Sequence, residues 1–138
     1  MRVTVNGLLR TAAIAGMALL LFACGSRVVV PVSTEVTLTI ENDRFDKKAV
    51  AMPPGKTVTV TMVNRDEMAH AFAVYRGFED FTPVFEGEEA APGETREYTF
   101  DTPSERARLW FACSIHPAAG GKFILSPREE VMVEVSKD

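Results

Sequence analysis

The feature of this chain that most constrains its fold is a strict alternation of apolar and polar residues. In "TEVTLTIEN" (34–42), Val36, Leu38 and Ile40 fall on one face, and "KTVTVTMVN" (56–64) repeats the pattern with Thr on the other face. Because successive side chains of a β-strand point to opposite faces of a sheet, this period of two predicts half-buried strands.

Further segments of similar composition also predict strands, namely 68–75, 95–100, 106–113 and 129–136. Pro and Gly residues typical of turns separate them, and no segment after residue 24 has a helical period. About seven to eight short strands at this spacing predict an all-β sandwich over residues 34–138.

Two segments do not fit this pattern. Residues 76–94 are irregular and rich in Glu and Asp, and we expect a solvated loop, with or without a short helix; an acidic docking patch is the alternative. Residues 122–127 ("KFILSP") place an apolar run before Pro127, which predicts an extra turn or a broken strand.

The N-terminal segment is typical of an export signal. Residues 1–23 combine a basic start (Arg2 and Arg10) with a short uncharged apolar run that ends "LFAC". This ending resembles the bacterial lipoprotein signal, in which the Cys, here Cys24, is lipidated and becomes the first residue of the mature chain. We therefore expect a signal peptide at 1–23, a tether at 24–33, and a domain held on a membrane at the periplasmic or cell-surface side. An ordinary cleaved signal or an uncleaved anchor is the alternative.

Charge limits the partners of the exported chain. Without residues 1–23 the chain has 13 basic and 19 acidic residues, a net charge of −6. Nucleic acid is excluded as a partner because binding to phosphates requires a basic face. The same charge is compatible with a cationic protein partner, and we expect a monomer of one domain.

The residues that suit soft metals are few. The chain has two Cys and two His; if Cys24 carries lipid, only His70, Cys113 and His116 remain, while a Cys24–Cys113 disulfide is the alternative use of the thiols. Two imidazoles and one thiolate form the set of blue-copper electron-transfer sites. Zinc normally takes a fourth Cys, His or carboxylate, and a Cys–His catalytic pair requires an orienting group and an oxyanion site that the sequence does not identify.

Three stretches resemble the cupredoxin family, most of all its small amicyanin/plastocyanin type. "AMPPGKTVTVTMVNRDEMAHAF" (51–72) is similar to the family's Pro-Gly turn, its strand ending in Asn and its first His ligand. "APGETREYTF" (91–100) is similar to its second Pro-Gly strand, and "LWFACSIHP" (109–117) to its ligand loop. The resemblance runs from about residue 35 to the C-terminus. It implies a Greek-key β-sandwich with one copper ion near one end, bound by His70, Cys113 and His116. It also implies that His116 lies near the surface, where electrons pass to a redox partner.

The sequence departs from the family at two positions. The family usually has an axial Met shortly after the loop His, but the matching residue here is Ala119 or, in a longer register, Gly121. We expect an axial position that is empty or filled by water or the Ala69 carbonyl, and neither Met68 nor Met132 as a ligand. The family's Asn after the first His, which braces the Cys loop, is replaced by Ala71, although Ser114 is present.

These observations leave three functional hypotheses. The first is a membrane-tethered type 1 copper electron carrier whose site is kept dry by Phe72, Trp110 and Phe111. The second is a copper-binding or copper-delivery module, whose partner is a copper donor or acceptor in place of a redox partner protein, and the third is a metal-free interaction domain. We do not expect an enzyme, because the sequence shows no acid–base or nucleophile constellation.

Overall fold

A computed structural model describes residues 26–117 and 119–135. In this part of the chain there are eleven strands: β1 (Ser26–Pro31), β2 (Glu35–Glu41), β3 (Arg44–Phe45), β4 (Ala49–Met52), β5 (Thr57–Asn64), β6 (His70–Tyr75), β7 (Pro83–Ala90), β8 (Thr95–Asp101), β9 (Ala107–Cys113), β10 (Gly120–Leu125) and β11 (Glu130–Val135). The expected signal peptide and Cys24 lie outside the described residues.

The strands form two main sheets. One has the order β4-β10-β9-β6-β7, and the other has the order β3-β2-β5-β8. Most neighbours are antiparallel, but β2 pairs with β5 and β10 pairs with β4 in parallel. The prediction of an all-β, two-sheet sandwich is confirmed. The strand count exceeds the expected eight because several short or polar strands carry little period-two signal.

The alternation that predicted the fold also builds its core. In β5, Val58, Val60 and Met62 are buried, while the Thr residues between them are more exposed. They pack with apolar residues of the facing sheet, including Phe72, Phe111 and Phe123, in one cluster. Burial of such side chains is the main favourable contribution to folding.

The segment expected to be a tether contains a strand. Residues Ser26–Pro31 form β1, which pairs with β11 over its full length as a two-stranded ribbon. This pairing provides hydrogen-bond partners for the backbone N–H and C=O groups along one edge of β11. No helix in the described ranges has the length and hydropathy needed to cross a bilayer.

The two irregular segments are also strands in large part. The expectation of a solvated loop at 76–94 is wrong for residues 83–90, which form the edge strand β7. The Glu residues suggested a loop because β7 is mostly solvent-facing, as an edge strand can be. The segment 122–127 is strand through Leu125 and then turns at Ser126.

Candidate metal centre

Two neighbouring strands bring the predicted ligands to one end of the sandwich. His70 begins β6, and Cys113 ends the adjacent strand β9, where it pairs with Phe72. His116 follows in the turn between β9 and β10, which is closed by the Ala119 amide donating to the His116 carbonyl at 3.1 Å. Sheet register and this turn therefore place all three side chains together.

The three donor atoms form a compact triangle. His70 Nδ1 lies 3.5 Å from Cys113 Sγ, His116 Nδ1 lies 4.0 Å from the same sulfur, and the two Nδ1 atoms are 3.4 Å apart. Nitrogen and sulfur ligands about 2.0–2.3 Å from one metal ion lie roughly 3.3–3.8 Å from each other. Two imidazoles and a thiolate also suit copper in both of its common oxidation states. The residues therefore fit a single copper ion.

The three predicted ligands differ in their exposure to solvent. His70 and Cys113 are fully buried, whereas the His116 side chain is 33% exposed. The Cys113 thiol is free in the structure, and its expected alternative partner Cys24 lies outside the described residues. Of these three side chains, His116 is the one that reaches solvent.

A carboxylate fixes the orientation of His70. Asp66 Oδ2 lies 2.7 Å from His70 Nε2, so the geometry assigns the Nε2 proton to this bond and leaves Nδ1 as the donor atom that faces Cys113. Asp66 also accepts backbone amides from Asn42 at 2.5 Å and Asp43 at 3.0 Å. Burial of Asp66 opposes its ionisation, but these amide bonds and the contact with His70 together lower the pKa of the carboxyl below its usual value.

The turn that Asp66 holds is strained. Asn42 and Asp43 have φ of 53° and 57°, the left-handed region that Asn and Asp tolerate better than most residues. This turn brings Asp43 Oδ1 within 3.5 Å of His116 Nδ1 and 3.8 Å of His70 Nε2. The β2–β3 turn therefore places a second, half-exposed carboxylate beside both imidazoles.

Asp43, Asp66 and His70 form a second group with metal-binding potential, since their donor atoms lie within 4.8 Å of one another. However, both Asp66 oxygens already accept backbone amides, and Nε2 of His70 donates to Asp66. We therefore interpret this group of residues as one that holds His70 in position, and not as a second metal site.

Backbone groups join the His70 strand to the Cys113 loop in place of the missing Asn side chain. The Ala71 amide donates to Cys113 Sγ at 3.4 Å, and the Ser114 amide donates to the Ala71 carbonyl at 3.1 Å. Ser114 thus contributes its backbone amide to the brace. These contacts do not depend on the residue type at position 71.

The structure also places the candidates for the axial position. Ala119 is buried in the same cluster as Cys113, and its carbonyl accepts the Cys113 amide at 3.1 Å. Gly121 instead pairs with Phe111, and a Cβ there would overlap the Phe111 ring and the Lys48 carbonyl. Met132 lies on the β1–β11 ribbon and is 67% exposed. Ala119 is therefore the position beside the site.

The aromatic residues expected to keep the site dry divide into two groups. Phe72 and Phe111 are fully buried in the core cluster that contains Cys113. Trp110 lies on the opposite face of the sheet, where it packs with Ala73, Tyr75 and Ala112. The expectation for Trp110 is wrong because adjacent residues of β9 point to opposite faces.

Sequence reasoning missed Asp66 and Asp43. Asp66 precedes His70 by four residues, and "END" at 41–43 is typical of a tight turn. Neither the spacing of Asp66 and His70 nor the turn sequence predicts this contact alone. The turn is distant from His70 in sequence, and the two meet only in the folded chain.

Comparison with solved structures shows that the fold is cupredoxin-like. The chain is similar to auracyanin from the photosynthetic bacterium Roseiflexus castenholzii, with a TM-score of 0.61 and 23% identity over 70% of this chain and 99% of that chain. It is also similar to auracyanin B, with a TM-score of 0.60, 16% identity and coverage of 70% and 91%. A third match is auracyanin A, a "blue" copper protein from Chloroflexus aurantiacus, with a TM-score of 0.57, 19% identity and coverage of 70% and 100%.

At these identities the likeness establishes the fold alone. No protein-family model matches the chain, and no curated protein matches its sequence. The resemblance to the amicyanin/plastocyanin type within this fold stays a prediction.

Proposed function

We propose that this protein is a type 1 copper electron carrier that binds one copper ion through His70, Cys113 and His116. The observation that carries the proposal is the triangle of donor atoms, 3.4 to 4.0 Å apart, at the end of a cupredoxin-like sandwich. The description of auracyanin A as a "blue" copper protein supports the same reading.

The residues of the site suit a redox role. Copper, when bound, would supply a one-electron couple between Cu(I) and Cu(II). The thiolate and two imidazoles are acceptable to both states, and Asp66 and the Ala71 amide hold His70 and Cys113 in place. Ligands that are already oriented need little rearrangement when the charge of the ion changes.

His116 provides the contact with a redox partner. It is the one ligand of the three with an exposed side chain, and its neighbour Ile115 is 41% exposed. An exposed apolar residue beside a buried redox site suits a short-lived contact with a partner protein. We therefore assign electron exchange to this end of the sandwich.

Burial favours retention of copper over its delivery. His70 and Cys113 are fully buried, and each is held by hydrogen bonds, so release of the ion would require the loop to open. The same burial opposes an enzyme that uses Cys113 as a nucleophile, since a substrate could not reach the sulfur.

Repeated redox cycling tests electron transfer against delivery. The copper-loaded protein is reduced with ascorbate and reoxidised with hexacyanoferrate(III), in the presence of an excess of a Cu(I) chelator. We expect the absorption of the oxidised form to return through many cycles. Transfer of copper to the chelator during the first reduction would instead identify a delivery module.

We further propose that the protein is exported and anchored to a membrane through lipid on Cys24. The support is the sequence of residues 1–24 alone. On growth with radioactive palmitate, the wild-type protein should incorporate the label and Cys24→Ser should not. Absence of label from the wild-type protein, or label that persists in Cys24→Ser, would contradict a lipid anchor on Cys24.

A further inference from the structure

A large cleft lies on the outside of the five-stranded sheet, and its lining includes none of the three residues of the ligand triangle. It has a volume of about 1260 Å³ and is formed between β9 and β10 and the β1–β11 ribbon. We call it the outer cleft, and its basic lining residues are Arg27, Arg106, Arg108, Lys122 and Arg128.

The charge of the outer cleft differs from that of the rest of the protein. Its five cations face three carboxylates, those of Glu129, Glu130 and Glu134, although the chain after residue 23 has a net charge of −6. The guanidinium of Arg27 is 3.4 Å from Glu134, while Arg106, Arg108 and Arg128 form no ion pair with the described residues. Among the described residues, the lining of the cleft therefore has a local excess of positive charge.

Exposed aromatic rings lie beside this charge. Phe78 is 62% exposed and stacks edge-on against Trp110 at 5.0 Å, and both residues line the cleft. Phe81 is 52% exposed and contacts Tyr75, which pairs with Trp110 across β6 and β9. Aromatic and Arg side chains together are typical of protein–protein interfaces.

Strand β9 joins the outer cleft to the candidate copper site. Trp110 precedes Cys113 by three residues on this strand, which corresponds to about 10 Å of extended backbone. A protein bound over Trp110 would therefore lie much closer to the copper site than one bound at the far end of the sandwich.

We propose that the outer cleft docks an acidic surface of a redox partner protein. The inference rests on the proposed electron-transfer function and adds a second contact surface, distinct from the one at His116. An anionic bilayer fits less well, because Glu130 and Glu134 are exposed on the ribbon that flanks the cleft and would oppose it. Charge complementarity in such a contact speeds association and selects the partner.

The test uses the fluorescence of Trp110, which is the single Trp of the chain and so reports on the cleft alone. Hexaglutamate is the probe, and it is titrated into the full-length, metal-free protein in detergent at low salt. We expect a saturable change in emission that disappears as salt is added. Arg108→Glu combined with Arg128→Glu should weaken binding about tenfold, because charge reversal replaces two exposed attractive contacts with repulsive ones.

Lys56→Glu is the matched control, since Lys56 is exposed on the turn before β5 and outside the cleft. This variant should bind hexaglutamate nearly as the wild type does, and Phe78→Ser should bind it less tightly. Equal weakening by Lys56→Glu, or no change in Trp110 emission, would overturn the proposal. Binding to phosphatidylglycerol vesicles but not to hexaglutamate would identify a membrane contact instead, and self-association that hexaglutamate does not reverse would identify a second copy of the chain.

The visible spectrum of the Cu(II)-loaded variants shows whether the copper site is intact, independently of hexaglutamate binding. Arg108→Glu and Arg128→Glu should leave the spectrum unchanged, because neither residue contacts a ligand. A protein that binds hexaglutamate but shows no copper spectrum would retain the docking surface and refute the electron-carrier function.

Discussion

At the scale of single residues, the candidate site depends on contacts that hold the ligands in position. The Asp66 carboxylate fixes the His70 ring and the turn at 42–43 in one set of hydrogen bonds, and the Ala71 amide supports Cys113. The ligand types were predictable because the chain has so few His and Cys residues. The role of Asp66 was not, since it depends on a contact between residues 23 and 24 positions apart.

Asp66→Asn tests this support. Asn retains the shape of Asp but loses the charge that binds the His70 Nε2 proton and two amides. We expect the affinity for copper to fall about 10- to 100-fold, as is usual when a group that orients a metal ligand is removed. Competition with a chelator of known affinity measures it.

Asp101→Asn is the control for this variant, because Asp101 accepts a hydrogen bond from Thr57 at the opposite end of β5 from the site. It should bind copper as the wild type does. A folded Asp66→Asn protein with wild-type affinity would show that the carboxylate does not position His70.

Ala119→Met tests the axial position. Ala119 is buried beside Cys113 and is hydrogen-bonded to both ends of the ligand loop, so a longer side chain there should bring a thioether to the copper ion. We expect a lower reduction potential, because an added donor stabilises Cu(II). Met132→Ala on the exposed ribbon is the control and should leave the potential unchanged; an unchanged potential in Ala119→Met would place the axial position elsewhere.

At the scale of elements, the strands with clear alternation were predictable and the edge elements were not. β2 and β5 match their predicted segments within one residue at each end. β7 was missed because an edge strand buries little and tolerates Glu at most positions. β10 was not resolved from sequence because it opens with Gly120 and Gly121, where Trp110, Phe111 and the Lys48 carbonyl leave no room for a Cβ.

Tyr98 of β8 connects the two main sheets through a hydrogen bond to β7. It is buried, its hydroxyl donates to the Glu88 carbonyl at 2.8 Å, and Gly87 leaves space for its ring. Burial is the main reason that the pKa of Tyr98 is raised above 10.0. The protonated phenol therefore stabilises the fold fully below pH 10, and this contribution is lost as the pH rises through the pKa of the folded state.

The variant Tyr98→Phe tests whether ionisation of Tyr98 lowers the stability of the fold at alkaline pH. At pH 7 the variant should be destabilised by about 1 kcal/mol, the usual cost of one lost hydrogen bond. Above pH 10 the wild type should lose stability more steeply than the variant, since Phe cannot ionise. Urea unfolding at several pH values measures both effects, and parallel slopes above pH 10 would argue that Tyr98 does not cause the alkaline loss.

At the scale of the whole molecule, the sandwich presents two surfaces with different chemistry. One end carries the ligand triangle with His116 at the surface, and the outer face of the larger sheet carries the basic, aromatic outer cleft. The sequence predicted the first surface through its motifs. It could not predict the second, because the cations of the cleft come from segments that are distant along the chain and meet only after the ribbon folds over the sheet.

The central claim is that His70, Cys113 and His116 bind one copper ion, and the visible absorption spectrum during titration with Cu(II) tests it most directly. The wild-type protein should develop an intense thiolate-to-copper band that saturates at one equivalent, and Cys113→Ser should bind without this colour. A wild-type protein that remains colourless at saturation, or a band that persists in Cys113→Ser, would contradict the assignment.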